Sequence, residues 1–182
     1  MIAAVVLAAG FSRRLGRPKQ MIQVGGETLL ARAVRVAGEA GLTPVVVVVN
    51  AEFSDGLLGC ELAVNEQAEE GMASSIRCGV ERAREVGATG VVVMACDQVE
   101  LRAEHVRNLC AAPEWVTGSG YAGKVGIPAY FPAARFEELL ALQGDIGARE
   151  LLRGAASVVD EKLGLDVDTA EDVERARGLL ES

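Results

Sequence analysis

The chain has 182 residues, half of them hydrophobic and only 4% aromatic, so its core must be built from Val, Leu, Ala and Ile. A formal net charge of -8 argues against wrapping nucleic acid or anionic lipid. No apolar run approaches the ~20 residues of a membrane span. The opening MIAAVVLAAGFSRR carries its charges after a short apolar run, the reverse of a secretory signal. Cys60, Cys78, Cys96 and Cys110 are far apart in sequence and form no CxxC pair, which predicts buried reduced thiols rather than a disulfide framework or zinc site. A cytoplasmic protein is the expectation.

Three valine-rich runs, Ile2–Leu7, Val45–Val49 and Val91–Met94, read as strands buried on both faces, as in a parallel sheet. Leu30, Ala33, Val34 and Ala37 are spaced as a helix ended by Gly41. Ile76, Val80 and Ala83 mark a second, ended by Gly87. Arg102–Ala112 and Ala133–Leu142 read as two more, and Ala170–Leu180 as the last. Trp115–Ser119 and Gly126–Phe131 read as strands around the turn GSGYAGKVG. The alternation predicts a single domain over residues 1–182: an α/β, three-layer αβα Rossmann-like fold with a mostly parallel mixed sheet. Ligands of such sheets bind beyond the carboxyl ends of the strands.

The first strand opens into Leu7-Ala8-Ala9-Gly10-Phe11-Ser12-Arg13-Arg14-Leu15-Gly16-Arg17-Pro18-Lys19. Small residues let backbone N–H groups approach a ligand, and four cations add charge for a polyphosphate. The segment is neither a Walker A loop nor GxGxxG. Asp97 ends the run VVVMAC, where a carboxylate suits a hard cation such as Mg²⁺. In LDVDTAED, an extended 165–168 segment would put Asp166 and Asp168 on one face, and Asp168 followed by Glu171 would also make an N-cap for the last helix. Ser74 is either an anion-binding residue at a helix start or a plain cap, and Asp145 either a ligand or the cap of a helix to Arg153. His105, the only histidine, falls on a polar helix and is expected to be exposed.

LAAGFSRRLGRPK resembles the signature LAAGxSxRxGxxK of nucleotidyltransferases of the molybdenum cofactor cytidylyltransferase type, relatives of the guanylyltransferase for the same cofactor. Further similar stretches are Ala95-Cys96-Asp97-Gln98-Val99, Asn65-Glu66 with Gly71-Met72-Ala73-Ser74-Ser75, Gly126-Ile127-Pro128, GDIGAR at 144–149 and Asp166-Val167-Asp168-Thr169-Ala170-Glu171-Asp172. Departures are Val99 and Ala170 where the family often has proline, and Ile127 where it often has histidine. The resemblance implies nucleotide binding by Leu7, Ala8, Ala9, Gly10, Ser12, Arg14, Gly16, Lys19, Asn65 and Ser74. It implies acceptor binding by Ser75, Gly126, Asp145 and Arg149. Asp97, with Asp166 as the favoured second carboxylate, would hold Mg²⁺, and Lys19, Arg14 and Asp97 would be catalytic. The implied reaction moves a nucleoside monophosphate, CMP from CTP favoured because LAAG is the cytidylyl form of the loop, onto molybdopterin or a similar phosphorylated acceptor. The resemblance extends to a client molybdoenzyme as partner. The alternatives are a GTP- or sugar-phosphate-using transferase, an NAD(P)H-dependent reductase resembling nicotine blue oxidoreductase, and a noncatalytic cofactor carrier. Intact Lys19 and Asp97 argue against the carrier.

Overall fold

The computed structural model describes residues 1–12, 15–52 and 59–180. β1 (Ile2–Leu7) is the middle strand of a parallel trio with β4 (Val45–Asn50) and β6 (Gly90–Ala95). Their valines leave almost no exposed surface on either face, which is what a continuous β-branched run demands. β5 (Glu61–Asn65) adds parallel to β4, and β8 (Lys124–Pro132) runs antiparallel to β6. β7 (Thr117–Tyr121) pairs antiparallel with β8, and β9 (Ala156–Val159) lies parallel to β7. The sheet order is β5-β4-β1-β6-β8-β7-β9, and a separate hairpin joins β2 (Gln23–Val24) to β3 (Glu27–Thr28).

The strand period of two divides the core between the faces. Ala4 and Val6 turn to one side with Leu30 and Val36 of α1 (Leu29–Glu39) and Val106 of α3 (Ala103–Leu109). Ala3 and Val5 turn to the other, with Ile76 and Val80 of α2 (Met72–Glu85) and Phe136 of α4 (Phe136–Leu140). The αβα layering and mostly parallel mixed sheet match the expectation. A third cluster, Ile22, Val24, Leu29, Val99, Val167 and Val173, packs the β2–β3 hairpin and α5 (Ala170–Leu180) beside the end of β6. No helix among the described residues is long and apolar enough to cross a membrane.

Several local expectations need correction. β5 and β9 are strands that the sequence pattern does not announce. They sit at the two sheet edges, and their residues are largely exposed or alternate. β7 begins at Thr117; Trp115 is left 69% exposed before it. The expected helices over 102–112 and 133–142 shorten to α3 and α4, the latter entered through a 3₁₀ turn at Ala133–Arg135. The four cysteines form no disulfide, and only Cys96 is buried; Cys60, Cys78 and Cys110 are half-buried.

His105 is also buried, only 5% exposed. Its Nε2 lies 2.8 Å from Ser119 Oγ, and that hydroxyl donates to Pro128 O at 2.6 Å. With the serine proton committed, the imidazole must be the donor at Nε2. Burial pushes its pKa below 6.5, with Arg102 acting in the same direction and Asp160 against it. The stability contributed by the neutral ring is therefore complete above 6.5 and lost as pH falls from there through the lowered folded value. Thermal melts of wild type and His105→Gln between about pH 7.5 and about pH 5.5 should show the larger decline in wild type. Parallel declines would exclude this histidine as the cause.

Candidate active site

The register of the parallel trio builds the site. Leu7 of β1 pairs with Val48 of β4 and Ala95 of β6, so the chain leaves β1 and β6 side by side. Ala8 N donates to Val48 O at 2.9 Å, and Asn50 Nδ2 donates to Ala9 O at 3.3 Å, pinning the loop after β1. Ser12, at φ 48, bends that loop back, and its Oγ accepts from Lys19 N at 2.8 Å. Gly16 adopts φ 64 within the bend. The loop walls a cavity of about 480 Å³.

Lys19 reaches across this cavity. Its Nζ donates to Asp97 Oδ2 at 2.8 Å and to Asp168 Oδ1 at 2.5 Å. Both partners of the Lys19–Asp97 pair are largely shielded, at 18% and 17% side-chain exposure. Burial alone would lower the Lys19 pKa, but the Asp97 and Asp168 carboxylates overcome it and hold the ammonium above 10.5. Asp168 arrives from a distant segment. Val167 N donates to Asp97 O at 3.2 Å, and Gln98 forms an antiparallel bridge with Asp166. Val167 is buried in the third cluster, so strand alternation sends Asp166 and Asp168 the other way. Burial, then Asp97 and Asp168, push the Asp166 pKa up to about 6.

The capping expectation for Asp168 is corrected. Asp172 Oδ2 accepts from Asp168 N at 3.1 Å and Thr169 N at 2.8 Å, and Thr169 Oγ1 accepts from Asp172 N at 3.2 Å. The reciprocal box is thus Thr169 with Asp172, one position later than Asp168 with Glu171. Ser74 is likewise no cap. It is the third residue of α2, buried, accepting from Asn65 Nδ2 at 2.9 Å with its hydroxyl against Gln67 O and Gly71 O. Asp145 does not cap a helix to Arg153, because residues Arg149–Leu152 form a 3₁₀ turn with Ala148 at its N-cap. Its Oδ1 instead accepts from Met72 N at 3.1 Å, at the start of α2.

That last contact joins two stretches far apart in sequence. Ala73 N donates to Gly144 O at 3.1 Å. Gly71 has φ 107, and a Cβ there would lie 2.9 Å from Gly144 O and 3.0 Å from the Cα of Asp145. Only glycine satisfies both the left-handed backbone and the close approach. The GMASS and GDIGAR stretches therefore pack against each other on the wall opposite the β1 loop.

Of the sequence-predicted residues, Leu7, Ala8, Ala9, Gly10, Ser12, Lys19, Ser75, Asp97 and Asp145 line the cavity. Asn65 and Ser74 border a shallower hollow on the other side of the α2 start. Asn65 donates to both Ser74 Oγ and Ser75 Oγ and so links the two walls. Arg14 lies outside the described residues. Gly16, Gly126, Arg149 and Asp166 do not line the cavity, and Arg149 is exposed. The cavity adds Gln20, Gly71 and Met72, which sequence reasoning gave no site role. The glycine before the α2 start was the available signal for the last two.

The donor set suits a hard cation that keeps waters and phosphates in its shell, since Mg²⁺ typically takes only one or two protein carboxylates. Among the described residues no group of three or more His, Cys, Asp or Glu is arranged to cage a metal. Burial, then the Asp97 charge, push the Cys96 thiol up to about 12, which disfavours its thiolate form.

Residues 4–161 match the MobA-like NTP transferase domain. The purine catabolism protein PucB of Bacillus subtilis (strain 168) is 33% identical over 97% of this chain and 96% of its own length. The nicotine blue oxidoreductase of Paenarthrobacter nicotinovorans is 30% identical over 96% and 95%. A probable molybdenum cofactor guanylyltransferase of Opitutus terrae is 37% identical, over 56% of this chain and 50% of its own length. The crystal structure of Rv0371c from Mycobacterium tuberculosis H37Rv superposes with a TM-score of 0.84 at 32% identity, covering 100% of this chain and 98% of that one. A manganese complex of the same protein superposes at 0.78 and 31%, with the same coverage. On the match over residues 4–161 and the full-length relatives, the chain belongs to the MobA-like NTP transferase family of nucleotidyltransferases.

Proposed function

We propose that residues 1–182 act as a single, cytoplasmic, Mg²⁺-dependent nucleotidyltransferase domain that moves CMP from CTP onto molybdopterin or a similar phosphorylated acceptor, releasing pyrophosphate. The observation that carries the reading is the meeting of Lys19 Nζ and Asp97 Oδ2 at 2.8 Å on the wall of the cavity beyond β1 and β6. A polyphosphate lying along the β1 loop would have its negative charge beside Lys19, and the resemblance implies the same phosphate-binding role for Arg14. The similarity to a molybdenum cofactor guanylyltransferase supports the acceptor.

A phosphate monoester oxygen is already anionic at neutral pH, so the acceptor needs no general base. The barrier lies in bringing two anions together in line at the α-phosphorus. Backbone N–H groups of Ala9 and Gly10 bind and orient the nucleotide against the small-residue turn, which Ala8 anchors through its own N–H to Val48 O. Lys19 and Arg14 take up charge that grows on the pyrophosphate. Ser75 and Asp145, on the cavity wall, hold the acceptor, with Asn65 donating to the Ser75 hydroxyl at 3.0 Å. Asp97, with Asp166 as the second carboxylate, would hold Mg²⁺, which when bound would supply neutralisation of the α-phosphate charge. CTP is favoured because the methyl of Ala9 narrows the base site, an effect worth ~1–3 kcal/mol.

Pyrophosphate release measured with CTP and with GTP should favour CTP by about tenfold or more and should stop on adding EDTA. Equal turnover would overturn the base assignment. A second reading is favoured by the full-length similarity to nicotine blue oxidoreductase, which implies NAD(P)H in this cleft. It requires NADPH oxidation that persists in EDTA, whereas the transfer reading requires none.

A further inference from the structure

Asp97 faces two claimants. The Lys19 ammonium sits 2.8 Å from its Oδ2, and a divalent cation on the same carboxylate would stand within a few ångströms of that ammonium and be repelled by it. The pair is no loose surface contact, because both side chains are mostly shielded from water. Asp168 grips the same ammonium at 2.5 Å, so Lys19 keeps a partner when Asp97 is taken away. The base of the side chain is fixed, since Lys19 N is held by Ser12 Oγ. Its four-carbon stem leaves the tip free to swing.

We propose that Lys19 is an internal counter-cation that competes with the divalent cation for Asp97, and that nucleotide phosphates resolve the competition by drawing the ammonium off. The proposal rests on the nucleotidyl-transfer reading for the identity of both ligands. It gives a binding order: metal alone binds poorly, nucleotide moves Lys19 onto the phosphates, and Asp97 becomes available. Metal and nucleotide must then strengthen each other by the same factor. Asp168 keeps the ammonium at the cleft throughout.

The test uses Mn²⁺, with the free ion counted by electron paramagnetic resonance. The proteins are wild type, Lys19→Met, Lys19→Gln and Lys124→Met, each checked for a native melting transition. Lys124 also lies in the field of Asp166, so its removal takes away a nearby positive charge without freeing Asp97. Without nucleotide, both Lys19 variants should bind Mn²⁺ about tenfold more tightly than wild type, a shift of the size expected for a partly shielded ion pair. Lys124→Met should stay near wild type. CTP should tighten Mn²⁺ binding to wild type and do so far less in the Lys19 variants. Equal Mn²⁺ affinity in wild type and both Lys19 variants would overturn the competition while leaving the transfer reading intact. So would a gain in Lys124→Met as large as in Lys19→Met. Failure of every protein to bind Mn²⁺ even with CTP would overturn both.

Discussion

Lys19→Ala should lower the rate of pyrophosphate release by about 10²–10³, the loss typical of removing one fixed charge-stabilising group. Lys19 is built for this part. Its backbone is tied to Ser12, and its ammonium stands between Asp97 and Asp168 over the cavity. The ammonium is also held above 10.5, against burial, by those two carboxylates, so it carries its charge at any working pH. Negative charge on the pyrophosphate grows toward the transition state. The loss should therefore fall on kcat at least as much as on KM. Asp97→Ala should be impaired to a comparable degree through loss of the cation. The variants also differ in what they leave behind. Lys19→Ala removes the cation that Asp97 and Asp168 share, whereas Asp97→Ala leaves Lys19 paired with Asp168. Near-normal turnover in both would remove the basis of the mechanism.

Gly79→Ala should destabilise the fold by about 2 kcal/mol, although helix propensity alone favours alanine by about 1 kcal/mol. Gly79 faces the sheet from the middle of α2. A Cβ there would lie 2.3 Å from Val5 Cγ1 and 2.8 Å from Val48 Cγ2. Both valines are fully buried, and β-branching leaves them no spare rotamer. The helix itself must lift. At this chain length the melting temperature should fall by about 5 °C. Because α2 carries Ser75 and Met72 at the cavity wall, activity should fall with it. A melting temperature equal to or above wild type would show that propensity wins and that the helix sits farther from the sheet.

The parts legible in the sequence were those written in continuous local pattern. Val45–Val49 and Val91–Met94 announce strands buried on both faces, and the loop from Leu7 to Lys19 announces its basic, small-residue character. What stayed hidden depends on long-range approach. His105 sits among Glu104, Arg107 and Asn108, and its burial arises only when Ser119 of β7 comes to meet it. The fit of Gly71 against Gly144 and Asp145 joins segments more than 70 residues apart. Asp166 and Asp168 could not be told apart because alternation puts them on one face. The cap that would have separated them is ambiguous as well, since Asp168–Glu171 and Thr169–Asp172 offer the same spacing one residue apart. The edge strands β5 and β9 escape because an exposed strand lacks the buried run that marks a central one.

Mass spectrometry of the acceptor after incubation with molybdopterin, Mg²⁺ and each NTP in turn reads the chemistry directly. The expected product is molybdopterin heavier by one CMP, formed with stoichiometric pyrophosphate and absent when Asp97 is replaced by alanine. Unmodified molybdopterin with every nucleotide, beside intact NTP, would contradict nucleotidyl transfer in this cleft.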